Sequence, residues 1–135
     1  VFEKIVPSKT VTIMAVGPML HEAVKAAEKM TKVGLGAVVV NPSIVNHPDL
    51  ETLNHCLNLS DGYLVTAEDH QLVGGMGAQI THVLLRKGVR LKLASLGVND
   101  EFGQSAYKAS ELYQKHGIDA EAIEKAAVSL LIPNT

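Results

Sequence analysis

Short apolar runs alternate with amphipathic helical stretches along most of this chain, and no other feature limits its fold as strongly. Val11-Thr12-Ile13-Met14-Ala15-Val16 is apolar on both faces, as a strand covered on both sides must be. From Met19 to about Val33, the residues Leu20, Ala23, Val24, Ala27, Met30 and Val33 form one helical stripe, with His21, Glu22, Lys25, Glu28, Lys29 and Lys32 on the other side. Leu35 to Val40 reads as the next strand, and Leu50, Leu53 and Leu57 give the buried face of the following helix. Tyr63 to Ala67 is a third strand, followed by a helix in which Met76, Ile80, Val83 and Leu84 recur. Leu91 to Leu96, with Arg90, Lys92 and Ser95 breaking the apolar run, reads as a strand near an edge, and Phe2 to Val6 as a short edge strand. Such alternation implies parallel pairing through right-handed crossovers, with helices on both faces of one sheet.

The punctuation agrees with that pattern. Gly34 and Gly88 stand where helices end and a left-handed residue costs little. Gly17-Pro18 and Ser60-Asp61-Gly62 read as turns, and Pro48 as the first residue of a helix with Asp49 and Glu51 near its positive end. Ser105 is placed to cap a helix running to His116, with Gly117 as its stop and Tyr113 packing on Ile118. Asp119 then caps the last helix, Ile118 and Ile123 staple it, and Ile123, Ala126, Ala127 and Leu130 bury its face before residues 132–135 fray. No repeat or linker divides the chain, so residues 1–135 read as one domain.

Composition narrows the function classes. Apolar residues make up 47% of the 135, enough for a full core, yet no run approaches the roughly 18 that a membrane span needs. Net charge is −2 and basic residues occur at most in pairs such as Arg86-Lys87, which argues against a phosphate-tracking nucleic-acid surface. Cys56, the single cysteine, has no partner for an internal disulfide and fits a reducing cytoplasm. The chain opens on Val rather than Met, so a piece of a longer product is expected.

The chemically loaded residues gather after the third parallel-type strand. Glu68, Asp69 and His70 sit at its C-terminal end, and Gly74, Gly75 and Gly77 form a turn that opens the next helix. In open α/β sheets that edge meets ligands or partners. Two carboxylates and an imidazole can do acid–base work, but no nucleophile lies nearby in sequence, and docking is the favoured role. Gly74-Gly75-Met76-Gly77 can offer free amides to an anion, although it matches neither the Walker nor the dinucleotide spacing; close helix–strand packing is the alternative. The six histidines, His21, His47, His55, His70, His82 and His116, show no His-x-x-x-His pair, which argues against zinc. His21, His55 and His82 are expected on solvated helix faces. Asp61-Gly62 has the look of a metal–diphosphate motif but lacks its preceding glycine, and a turn accounts for it better.

Five stretches in order, VTIMAVGPMLHEAVKAAE, VVVNPSIVNHPDLETL, LVTAEDHQLVGGMGAQI, LGVNDEFGQSA and ELYQKHGIDAEAI, resemble the C-terminal domain of transketolase. Glu-Asp-His followed by Gly-Gly-x-Gly is the most telling part. Phe102-Gly103-Gln104-Ser105 and the Leu-Tyr…His-Gly-Ile-Asp ending favour transketolase over deoxyxylulose phosphate synthase and the β subunits of 2-oxo acid dehydrogenases, which share the domain. The resemblance implies a three-layer α/β/α fold with a mixed five-stranded sheet in the order 1-3-2-4-5, its first strand antiparallel, and a crevice between Gly17-Pro18 and Glu68–His70. It implies an enzyme that moves a two-carbon ketol unit between sugar phosphates, with thiamine diphosphate and Mg²⁺ held by pyrimidine-binding and diphosphate-binding domains absent from this chain. This domain would support those partners and a homodimer, with no catalytic, cofactor-binding or metal residue of its own. Where relatives carry a basic residue, the segment Pro42–Pro48 has none, so no anion role is carried over to it. A freestanding module binding a small anion at Gly74–Gly77 is the third reading.

Overall fold

The central strand of the sheet is the one whose sequence is apolar on both sides. In the computed structural model, which describes residues 2–6, 9–16, 19–41, 50–71, 76–88, 90–98 and 119–132, all six residues of β2 (Thr10–Ala15) are buried. The other elements are β1 (Phe2–Lys4), α1 (Met19–Lys32), β3 (Gly36–Val40), α2 (Leu50–Leu59), β4 (Tyr63–Gln71), α3 (Met76–Arg86), β5 (Lys92–Val98) and α4 (Ala120–Leu131). The five strands stand in the order β1-β3-β2-β4-β5. β1 runs antiparallel to β3, and the β2–β3, β2–β4 and β4–β5 pairs are parallel. Both the order and the reversed first strand are those the family resemblance implies.

Strand alternation sorts the core into two layers. Val11, Ile13 and Ala15 join Ala37, Val39, Val65 and Ala67 on one face, under α1 and α4. Met14, Val38, Val40 and Leu64 face Leu53, Cys56 and Leu57 of α2 and Ile80 and Leu84 of α3. Gly34 (φ 83°) and Gly88 (φ 81°) adopt the left-handed conformation expected of helix stops. Asp119 caps α4, its carboxylate accepting from the Ala122 amide at 3.0 Å. No helix among the described residues is long and apolar enough to cross a membrane. The expectations for Gly17-Pro18, Pro42–Asp49, the helix from Ser105 to His116 and Ile118 lie outside the described residues.

Two assignments on α1 are corrected. Val33 is 66% exposed, because the helix ends at Lys32 and the chain turns off through Gly34 before Val33 can join the stripe. Glu22, placed by periodicity on the solvent side, is only 8% exposed. Its carboxylate accepts from the Ala120 amide, the first of α4, at 3.1 Å, and pairs with Lys25 at 2.9 Å. Helix α4 packs along α1, and an acid there meets the positive end of its dipole. Glu22→Ala strips that amide of a buried acceptor, and urea unfolding is expected to show a loss of about 1–3 kcal/mol. Glu22→Gln, which keeps an acceptor, is expected to lose less.

Candidate functional site

β4 begins after a tight turn. Asp61 (φ 53°) and Gly62 (φ 82°) are both left-handed, and the Gly62 and Tyr63 amides donate to Leu57 O at 2.9 Å and Ser60 O at 3.0 Å. From Leu64 to Ala67 the strand pairs with β2 on one side and β5 on the other. The expected strand stopped at Ala67, with Glu68, Asp69 and His70 beyond its end. Instead β4 runs on to Gln71, which pairs with Val98 after an irregularity in register between Ala67 and Gln71. The backbone ladder continues because β5 extends to Val98, past the point where the apolar run of β4 stops. Glu68 is fully buried at the onset of this irregularity.

The described structure thus brings Glu68, Asp69 and His70 together in sequence along the last part of β4, beyond Ala15, the last residue of β2. The side chains of Asp69 and His70 lie outside the described residues. Gly77 belongs to the first turn of α3, while Gly74 and Gly75 lie outside the described residues.

Several other candidates settle into ordinary roles. A side chain on Gly62 would put its Cβ 2.5 Å from Arg90 O, and the Gly62 carbonyl accepts from the Lys92 amide at 2.8 Å. The Gly62 amide and carbonyl are thus both engaged within the chain, and Asp61-Gly62 serves as a turn. Among the described residues no group of three His, Cys, Asp or Glu is gathered as a metal site. His21, His55 and His82 are exposed, as expected. Cys56 is 4% exposed, and burial, with the charge of Glu3 adding to it, pushes its thiol above the ordinary value, so it packs as a small apolar group.

Sequence reading missed a buried hydroxyl cluster. Thr12 Oγ1 donates to Cys56 O at 3.0 Å and lies 2.8 Å from Ser60 Oγ, which reaches Tyr63 O at 3.1 Å. It ties β2 to the end of α2 and to the start of β4. The one signal for it was Thr12, a hydroxyl in a run otherwise apolar.

A mixed sheet in the order β1-β3-β2-β4-β5, covered on both faces, with an Glu-Asp-His run in the strand beside the central one, defines a three-layer α/β domain. The family model described as transketolase, C-terminal domain matches residues 2–123, and the chain belongs to that family. It is 35% identical over 121 residues to a putative transketolase C-terminal section of Methanocaldococcus jannaschii, covering 90% of this chain and 37% of that protein. It is 36% identical over 125 residues to 1-deoxy-D-xylulose-5-phosphate synthase of Aquifex aeolicus (93% of this chain, 20% of that one). With rat transketolase the identity is 31% over 122 residues, 90% of this chain and 18% of the relative. Among solved structures, a split-gene transketolase in an inactive β4 tetramer superposes with a TM-score of 0.81 at 34% identity, covering 91% of this chain and 39% of that one. The chain therefore spans well under half the length of each of these relatives.

Proposed function

We propose that this chain is the third, supporting domain of a transketolase-type enzyme that moves a two-carbon ketol unit between sugar phosphates. The observation that carries the reading is the family match over residues 2–123, joined to relatives of which the chain corresponds to only 37%, 20% and 18%. Thiamine diphosphate and Mg²⁺ belong to the pyrimidine-binding and diphosphate-binding domains of the whole enzyme, which works as a homodimer in the cytoplasm. The end of the sheet carrying Glu68, Asp69, His70, Gly74, Gly75 and Gly77 is the joint onto those domains. An edge of this kind suits docking, since the ends of parallel strands and the start of a helix converge on it.

Glu68 is buried and serves the fold, so the joint is tested at its neighbours. In the assembled enzyme, Asp69→Asn combined with His70→Ala is expected to weaken association with the cofactor-bearing domains about tenfold, read by analytical ultracentrifugation. The melting temperature of the 135-residue chain itself stays within about 2 °C of wild type. Unchanged association would remove these residues from the joint.

A second reading is favoured by the 36% identity to the Aquifex enzyme: the whole protein is a 1-deoxy-D-xylulose-5-phosphate synthase. Product analysis of the assembled enzyme separates the two, since one reading predicts exchanged sugar phosphates and the other 1-deoxy-D-xylulose 5-phosphate.

A further inference from the structure

The parallel strands begin, and the helices finish, at the end of the sheet opposite Asp69 and His70. Helices α1, α2 and α3 each lead into the start of a strand. Helix α4 runs alongside α1 in the same sense, since its first amide meets Glu22 in the first turn of α1. All five large apolar side chains that are exposed among the described residues lie at this end. Ile5 follows β1, Val33 follows α1, Leu85 is in the last turn of α3, Leu93 is the second residue of β5, and Ile132 follows α4. Val33, Leu85 and Ile132 are each more than half exposed.

Cations gather there too. Lys4 and Lys9, both exposed, flank the β1–β2 connection, and Lys32 ends α1. Exposed Arg86 and Lys87 close α3, and exposed Arg90 and Lys92 lead into β5. Among the described residues Asp61 is the carboxylate at the same level, with Glu3 one residue farther in, opposite Val38. Glu28 and Lys29, one turn up α1, offset each other. In the sequence these cations stand singly or in pairs, in a chain of net charge −2; the fold collects them. Helix dipoles account for cations at the ends of α1 and α3. They do not account for Lys4, Lys9 and Lys92 at strand ends, nor for the aliphatic side chains. Four strand spacings make this end about 20 Å wide. Protein interfaces concentrate apolar groups at the centre and charge at the rim, but here Ile5, Val33, Leu85 and Leu93 each adjoin a cation in the chain. Single-stranded nucleic acid stacks on aromatic side chains, and none of the five is aromatic. An anionic bilayer answers both features: its headgroups attract the cations, and aliphatic side chains enter between them.

We propose that this end of the domain docks on an anionic lipid bilayer surface, with the lysines and arginines at the headgroups and the five aliphatic side chains between them. It lies opposite the joint proposed above and does not depend on which enzyme the chain supports. The test is co-sedimentation of the full chain with vesicles of phosphatidylcholine alone and of phosphatidylcholine mixed equally with phosphatidylglycerol. Binding to the anionic vesicles is expected to be at least about tenfold tighter than to the neutral ones and to weaken with added salt. Lys9→Glu combined with Lys32→Glu is expected to weaken it about tenfold. Val33→Ser combined with Ile132→Ser, which leaves the charge unchanged, is expected to weaken it severalfold. Lys125→Glu, midway along α4, is expected to leave it within about twofold. All the substituted side chains are exposed, and far-ultraviolet circular dichroism checks that each variant folds. Equal binding to neutral vesicles, no binding to anionic ones, or affinity unchanged in both double variants would overturn the proposal. So would an RNA duplex bound as tightly as the anionic vesicles, or self-association in sedimentation that the Lys9/Lys32 variant abolishes, which would make the occupant a second copy of the chain.

Discussion

Gly36→Val is expected to cost about 3 kcal/mol or more of stability and to lower the melting temperature by about 10 °C or more. Gly36 opens β3 where the β1–β2 loop crosses it. A Cβ there would meet Thr10 Oγ1, and would sit 2.6 Å from Lys4 O and 2.7 Å from Val6 N. Two of the three atoms are backbone, and the third is not free to swing away. Thr10 Oγ1 accepts from the Val6 amide at 2.9 Å and donates to Val6 O at 2.8 Å, while the Gly36 amide donates to Lys9 O at 2.8 Å. The loop is thus cinched onto the glycine from three sides. Overpacking a closed site costs about 3 kcal/mol or more once backbone must move, against a total stability of about 5–15 kcal/mol for a domain. Gly36→Ala carries the same first clash without the added methyls and is expected to fold with a clearly lower melting temperature. An alanine variant that melts with wild type would show that the loop yields cheaply.

Ile13→Ala is expected to cost about 2–5 kcal/mol in urea unfolding, with an unchanged slope. Ile13 is fully buried in β2 and lies between Val39 of β3 and Val65 of β4 in register. Above that row α1 presents Ala23, Ala26 and Ala27, all fully buried. Small residues on the helix let it approach the sheet, so much of the volume between them is filled from the strand side. His21→Ala, on the exposed face of the same helix, is expected to change stability by less than about 0.5 kcal/mol.

These two positions show how unevenly the fold could be read in advance. Ile13 announces itself: a run apolar on both faces reads as a central strand, and so it is. Gly36 does not. Its conformation is not one that requires glycine; what requires it is the approach of a loop from another part of the chain, which local sequence does not encode. Glu22 failed for the same reason, since the helix it serves begins almost a hundred residues later. Strand order came from the resemblance and not from periodicity, which gives each strand a face but not its neighbour. At the candidate site, Glu68, Asp69 and His70 lie in the last part of β4, but the strand was cut short at Ala67 because its apolar run stops there. Continued pairing with β5 and the full burial of Glu68 depend on partners across the sheet.

The supporting role is tested most directly by assaying ketol transfer between a ketose phosphate and an aldose phosphate with thiamine diphosphate and Mg²⁺ supplied. The purified chain is assayed first alone and then together with the cofactor-bearing domains. A third domain that only braces its partners gives no transfer and no heat of cofactor binding alone, and transfer appears once those domains are added. Sugar phosphates turned over by the chain alone, or tight binding of thiamine diphosphate to it, would contradict that role.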